Sequence, residues 1–352
     1  MKTHYQLLII GGGTAGIMVA AQMKKKKPNL EIGLIEPADT HYYQPAWTLV
    51  GAGTYDFNKT AKPMADLIPK GVTWVKDYAT IFKPEENLVS TKNSSDFTYD
   101  YLVVAPGLVM APELIEGLPE ALDKGVVCSN YTDPLHTWDV IKNFKGGNAV
   151  FTQPTTPIKC GGAPQKIAYL AADYFKKNGI ANKTNLVFAT PGTVIFGIKP
   201  IRDTLMKVIH RYGIHFKPFY APFKIDPDKK IVYFKNTATD ENQPFDMLHL
   251  APPQTAPQFI KDSPLVNKDN WLDVDHFSLQ HNSYKNIFGL GDVAALPTAK
   301  TGAAIRKQVP VVVDNLALLI DHKEASNKNY NGYSSCPLVT GFGKMTLAEF
   351  DY

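Results

Sequence analysis

The feature that most constrains the fold is a run of glycines near the start of the chain. Gln6 to Ile10 is a short apolar run, Gly11-Gly12-Gly13-Thr14-Ala15-Gly16 follows, and Ile17 to Lys25 reads as a helix. Glycines at 11, 13 and 16 have the GxGxxG spacing. Gly11 allows the tight turn, Gly13 lets the backbone approach a pyrophosphate, and Gly16 lets the helix pack on the strand. The helix N-terminus then faces the phosphate charge. Leu30 to Ile35 reads as a second strand and ends in Glu36, 20 residues beyond Gly16. That is the distance expected for a carboxylate that accepts from a ribose hydroxyl. Strand, glycine turn, helix, strand and acid in this order predict a parallel α/β sheet that holds a dinucleotide. The four lysines 24–27 at the helix end are explained by the helix dipole and solvation and receive no function.

Length and composition bound the rest. The chain has 352 residues, enough for two domains, with 44% hydrophobic and 20% charged residues, an ordinary globular mixture. A net charge of +4 over this length gives no reason to propose a nucleic-acid partner. No stretch approaches 18 uninterrupted apolar residues, so no spanning helix is expected. Three cysteines cannot form a disulfide framework, and no metal site is expected. The first apolar run is one strand long and passes directly into glycines. It therefore reads as the first strand of a mature fold rather than a leader, and places the chain in the cytosol or an organelle.

One fingerprint does not choose between NAD and FAD. Tyr99 to Gly107 is a strand ending in a glycine turn that contains Ala105 and Gly107, and Tyr284 to Asp292 is another, ending in Gly291-Asp292. These resemble the second and third signatures of flavoproteins with two dinucleotide-binding domains, in which the acid of the Gly-Asp pair holds the ribityl chain of FAD. Asp292 and Glu36 would then grip one cofactor across 256 residues, which requires a discontinuous FAD domain. The expected organisation is 1–112, first part of the FAD domain; 113–270, a second Rossmann-like domain; 271–320, second part of the FAD domain; and 321–352, a short C-terminal β segment. In the second domain Asn185 to Ala189 reads as a strand. The loop after it, 190–197, has glycines only at 192 and 197 and bulky residues where a pyrophosphate would need the backbone. No working NAD fingerprint is expected there.

Cys160 lies in Thr156-Pro157-Ile158-Lys159-Cys160-Gly161-Gly162-Ala163-Pro164-Gln165-Lys166, ahead of a helical pattern through Ile167, Leu170, Ala171 and Phe175. Pro164 suits a first helical turn. A thiol close to a helix start, with Lys159 and Lys166 nearby, is a candidate reactive cysteine. Cys336 is 176 residues away, which excludes the short CxxC and CxxxxC disulfides, so any redox pair must be assembled by the fold. Cys128 follows an apolar pair and reads as structural.

These stretches, with HYYQPAWTLVGAG (41–53), FGLGDVAALPTAKTGAA (288–304) and YNGYSSCPLVTGFGKMTLAEFDY (330–352), resemble the sulfide:quinone oxidoreductases, in the branch of the mitochondrial enzyme and its bacterial relatives. The resemblance runs over essentially the whole chain. It implies a redox-active pair, Cys160 and Cys336, on one face of the flavin. Hydrosulfide would attack Cys336 and leave a persulfide, and Cys160 would pass two electrons to FAD. A ubiquinone or menaquinone would reoxidise the flavin from its other face. Glutathione, another thiol, sulfite or cyanide would take the sulfane sulfur. The resemblance also implies cofactor contacts from Gln44 and from the backbone of Ala79 near the adenine. It places Lys300 and Thr301, at the start of a helix from Gly302 to Lys307, at the pyrimidine edge. Relatives continue past EFDY with amphipathic helices that attach them to the membrane, and that tail is expected to be absent here. The implied location is peripheral, on the inner face of the plasma membrane or the mitochondrial inner membrane. Two other readings share parts of this pattern. A type II NADH dehydrogenase or a ferredoxin-type reductase would need a nucleotide loop at 190–197, and a low-turnover flavin and persulfide carrier would not reduce quinone.

Overall fold

The computed structural model describes residues 3–93, 96–236, 239–323 and 329–352. Its first layer is the sheet implied by the glycine run. His4–Ile10 lies between Ile32–Ile35 and Phe97–Val104, parallel to both, and Val72–Val75 lies beyond Ile32–Ile35. Ile32–Ile35 is buried at every position, as a parallel strand covered on both faces must be. The far side of Phe97–Val104 forks. Leu88 and Val89 pair antiparallel with its start, and Ile287–Gly289 pairs parallel with Leu102, Val103 and Val104. This last pairing returns the chain to the N-terminal sheet after the second domain has been formed.

The helix Thr14–Lys26 buries Ala15, Gly16, Val19, Ala20 and Met23. It packs beside the long helix Gly302–Ile320, whose Ile305, Val309, Val312 and Leu316 belong to the same apolar core. The lysine run is used locally. Lys24 Nζ donates to the carbonyls of Pro28 and Leu30, Lys26 pairs with Asp314, and Lys27 pairs with Asp321. The last two are partly exposed pairs with the neighbouring long helix and its C-cap, where solvent screening leaves an ion pair little stabilising effect.

A second sheet has five parallel strands in the order Val127–Cys128, Met247–Leu250, Gly147–Thr152, Thr184–Thr190, His215–Pro218. A helix from Ala163 to Lys177 crosses it. That helix is buried at every position from Ala163 to Asp173, because it also contacts the helix Lys199–Tyr212 and the C-terminal hairpin Ser334–Gly341/Lys344–Phe350. The expected strand at 185–189 lies within Thr184–Thr190. The loop after it folds onto the protein itself. Ile195 is buried in the core under the Ala163–Lys177 helix, its carbonyl accepts from Gln165 Nε2 at 3.3 Å, and Phe196 meets Phe350 edge to face.

Small residues let the two sheets approach. Gly53 has φ +70°, and a Cβ there would lie 2.4 Å from the Trp138 ring. Gly51 faces Thr137, Asn130 and Ile167. The segment 47–53 therefore seats on the helix Pro134–Asn143 and on the helix that follows Cys160, and leaves a cleft at the carboxyl ends of both sheets.

Candidate active site

The cleft has a volume of about 970 Å³, large enough for a dinucleotide-sized ligand. Gly12, Gly13, Thr14, Ala15 and Glu36 line it from the first strand–turn–helix, Ala105 and Gly107 from the end of Phe97–Val104, and Gly291, Asp292, Thr301 and Gly302 from the returning segment. The glycines divide the work as their spacing predicts. Gly11 has φ +102°, and a Cβ on it would lie 2.4 Å from the Ala105 carbonyl oxygen; a Cβ on Gly16 would lie 1.9 Å from the Gly11 carbonyl oxygen. Gly13 has nothing within 4 Å of where its Cβ would be. The helix starting at Thr14 has no side-chain cap, so its first N–H groups remain available to an anion. Glu36 is fixed at the strand end, accepting from the Gly12 N–H at 2.7 Å and from the Ala38 N–H at 2.8 Å. A free glycine face, uncapped N–H groups and an oriented carboxylate fit the pyrophosphate and ribose of FAD.

The returning segment supplies the other wall. Gly291, at φ +78°, donates its N–H to Gln308 Oε1 at 2.9 Å and presents Asp292. Burial pushes the Asp292 carboxyl above the usual carboxylate range, opposed by Lys300 and Lys159. Thr301 caps the long helix by accepting from the Ala304 N–H and bonds Ser334 Oγ at 2.7 Å. Two residues expected at the cofactor have protein partners of their own. The Lys300 stem lines the cleft, but its ammonium donates to the carbonyls of Asp292 (2.6 Å) and Ala294 (3.0 Å) and lies 4.1 Å from the centre of the Trp271 ring. Burial lowers its pKa to about 8. The cation that meets the HYYQP loop is Lys159, hydrogen-bonded to Gln44 Oε1. Ala79 lies outside the cleft. It pairs with Thr91 at the sheet edge and is buried beside Val75, Phe82 and Val89. The Lys300 side chain is directed by Trp271 and by the orientation of two nearby carbonyls, and Ala79 by its strand pairing, none of which residue spacing reveals.

Both cysteines face this cleft. Their sulfurs are 3.9 Å apart, in contact and unbonded. Cys160 has φ +50°, a left-handed conformation that costs a non-glycine residue roughly 1 kcal/mol or more. It persists because its N–H donates to the Lys300 carbonyl at 2.7 Å and its carbonyl accepts from Ala163 N–H at 2.7 Å. Cys336 stands on the C-terminal hairpin and is 4% exposed. Gly162 makes the approach possible, since a Cβ there would lie 3.0 Å from Cys336 Sγ.

The two thiols are not equivalent. The Cys336 S–H beside it, and then the Lys166 ammonium, hold the Cys160 sulfur well below the usual thiol range. Lys166 Nζ is 3.2 Å from that sulfur. The Cys336 thiol is pushed up by the neighbouring Cys160 sulfur and by burial. One proton is thus shared unequally and stays on Cys336. Burial opposes the charge on Lys166, 6% exposed, but the two sulfurs outweigh it and raise its pKa. Because the Cys160 pKa is depressed, its thiolate disappears only on acidification through that low value. In Lys166→Met the pH midpoint for alkylation of Cys160 should rise by about 1–2 pH units, read by peptide mass spectrometry after iodoacetamide. An unchanged midpoint would show that the ammonium does not hold the thiolate.

Cys128 is elsewhere. It is buried in the second sheet, directs its sulfur at the Leu248 carbonyl at 3.5 Å, and burial pushes its pKa up to about 12. That is an inert, structural thiol.

Comparison with known proteins agrees with this geometry. Residues 5–310 match the pyridine nucleotide-disulphide oxidoreductase family. The chain is 40% identical to the mitochondrial sulfide:quinone oxidoreductase of Mus musculus and 43% identical to that of Dictyostelium discoideum; each alignment covers 100% of this chain and 79% of the relative. The solved sulfide:quinone oxidoreductase of Aquifex aeolicus superposes with a TM-score of 0.84 at 22% identity, covering 99% of this chain and 87% of that one.

Proposed function

Since the chain belongs to the pyridine nucleotide-disulphide oxidoreductases, and within them to the sulfide:quinone oxidoreductases, we propose that Cys160 and Cys336 are the pair through which it oxidises hydrogen sulfide. The cofactor is FAD, and the electron acceptor is a quinone. The observation that supports the cysteine assignment most directly is the contact of two polarised sulfurs, 3.9 Å apart, in the cleft that carries the dinucleotide fingerprint.

The polarisation gives the direction of the chemistry. In thiol–disulfide exchange the sulfur with the lower thiol pKa leaves better. With the pair oxidised, hydrosulfide therefore attacks Cys336. The Cys160–Cys336 bond breaks, a Cys336–sulfur bond forms, and Cys160 leaves as a thiolate beside Lys166. A small acceptor (glutathione, another thiol, or sulfite) then takes the outer sulfur and leaves Cys336 as thiolate. Closing the disulfide again releases two electrons. FAD, held by the glycine turn, Glu36 and Asp292, supplies the two-electron relay from this pair to the quinone. Lys166 stays protonated through the cycle and compensates the Cys160 charge. Lys159, in the cleft wall and hydrogen-bonded to Gln44, adds positive charge that favours the entry of hydrosulfide.

Among the described residues no helix is long and apolar enough to cross a membrane. We place the protein peripherally, at the membrane that dissolves its quinone: the mitochondrial inner membrane in a eukaryote, or the inner face of the plasma membrane in a bacterium.

The test is anaerobic. Sulfide added to the purified yellow protein should bleach the flavin, and a short-chain quinone should restore it, with sulfane sulfur recovered on the added thiol or sulfite. NADH should leave the spectrum unchanged, because the 190–197 loop folds onto its own core. Bleaching by NADH and not by sulfide would overturn the assignment in favour of an NADH dehydrogenase. Bleaching by sulfide without recovery on quinone would favour the persulfide carrier.

A further inference from the structure

We propose that Tyr131 is the positioning residue of the Cys160 turn: its phenol holds the carbonyls of Lys159 and Cys160 and so keeps the Cys160 sulfur directed at Lys166 and Cys336. The proposal rests on the reading of Cys160 and Cys336 as the redox pair.

Tyr131 Oη lies 3.2 Å from the Lys159 carbonyl oxygen and 3.1 Å from that of Cys160. Two successive carbonyls that converge on one point repel each other, and the left-handed Cys160 conformation forces that convergence. A single O–H donor between them relieves the repulsion. The turn is also held by backbone bonds from Cys160 N–H to Lys300 and from Ala163 N–H to Cys160, and by side-chain bonds from Lys159 N–H to Gln254 Oε1 (2.9 Å) and from Gln153 Nε2 to the Gly161 carbonyl (3.4 Å), but none of these donates to both converging carbonyls. The phenol contribution depends on the identity of residue 131.

The tyrosine is placed independently of the cysteines. Its backbone belongs to a turn in which Tyr131 N–H donates to Ser129 Oγ at 3.3 Å and the N–H groups of Thr132 and Asp133 donate to the Ser129 carbonyl. Its ring is buried among Ile158, Ala163 and Ala251, against Cys160. Burial and then the two sulfurs raise the phenol pKa well above its ordinary value. The O–H therefore remains a donor while the thiols titrate, and it takes no part in proton transfer. Such a clamp suits a sulfur that must return to the same place each time the disulfide opens and closes, because small losses of alignment slow a bond-forming step steeply.

The experiment compares Tyr131→Phe with the parent holoprotein. Tyr131→Phe should retain FAD, raise the pH midpoint for Cys160 alkylation by about half a unit or more, and slow anaerobic bleaching by sulfide about 10-fold. A fall in melting temperature with both readouts unchanged would overturn the proposal and leave the phenol a purely structural group. Alkylation needs no sulfide, so it decides the role of Tyr131 even if sulfide fails to bleach the parent protein. That failure would count against the redox-pair reading alone. If Tyr131→Phe loses FAD, 4-aminophenylalanine at 131, which keeps a donor in place, should restore both the cofactor and the wild-type midpoint. Restoration of FAD without the midpoint would overturn the proposal.

Discussion

Anaerobic sulfide should bleach the flavin of Cys160→Ser or Cys336→Ser at least about 10³-fold more slowly than that of the parent protein. A serine hydroxyl neither forms a bridging bond to the remaining sulfur nor ionises near neutrality, so neither variant can accept sulfide and pass electrons on. Both should keep FAD, because neither position belongs to the glycine turn that cradles it. The two variants should nevertheless fail in different ways. Cys336→Ser removes the principal group that holds Cys160 in its thiolate form but leaves Lys166 at 3.2 Å. Its Cys160 should still alkylate, with a midpoint moved upward. Cys160→Ser leaves one thiol in the cleft, and that thiol, Cys336, 4% exposed, should alkylate slowly at neutral pH. The double variant should be no slower than either single one, since two groups that act as one unit do not lose activity additively. Stopped-flow spectra at 450 nm on the four proteins are the measurement. Normal bleaching in either single variant would show that electrons bypass the pair.

This asymmetry is also where the sequence was least informative. The thiol close to a helix start was legible at Cys160, because Pro164 and the apolar spacing through Ile167, Leu170 and Phe175 mark the helix and the lysines are local. The first sheet was legible for the same reason: a strand, its glycine turn and the following acid lie within 36 residues, and each residue type answers a local steric need. Cys336 could not be placed by such reasoning. Its partner is 176 residues away, and the hairpin that carries it is held by the Ala163–Lys177 helix rather than by its own pattern. Tyr131 gave no signal, because a phenol between two carbonyls is visible only once the turn it clamps has been built. Lys300 shows the converse. Its position at the start of a helix was read correctly, while the direction of its ammonium was decided by Trp271, distant in sequence, and by the orientation of two nearby backbone carbonyls, which residue types and spacing do not reveal. The partner of Ala79 was not legible either, because a strand-edge position depends on which neighbour pairs with it.

The glycine turn allows the fold and the cofactor to be tested separately, through two substitutions three residues apart. Gly16→Ala should abolish FAD retention and destabilise the protein by about 3 kcal/mol or more. Its new methyl would lie 1.9 Å from the Gly11 carbonyl oxygen and 3.2 Å from Ile9 Cγ2. That oxygen is backbone, at a residue already committed to φ +102° and tied by its N–H to the Ile35 carbonyl at 2.9 Å. The turn cannot yield without pulling the first strand away from its neighbour, so the helix must lift off the sheet and carry its free N–H groups out of line. Gly13→Ala should behave differently. Residue 13 has φ −73° and ψ −174°, which alanine adopts freely, and its methyl would meet no protein atom within 4 Å. The apoprotein should therefore melt within a degree or two of the parent. FAD affinity should fall about 10-fold or more, because the methyl occupies the space through which the pyrophosphate reaches the backbone. Melting curves of the apoproteins and FAD titrations by fluorescence quenching measure the two effects independently. If Gly13→Ala bound FAD as tightly as the parent, the open face at residue 13 would not be where the pyrophosphate lies. In that event the uncapped N-terminus of the first helix would have to meet the cofactor from the side of Glu36.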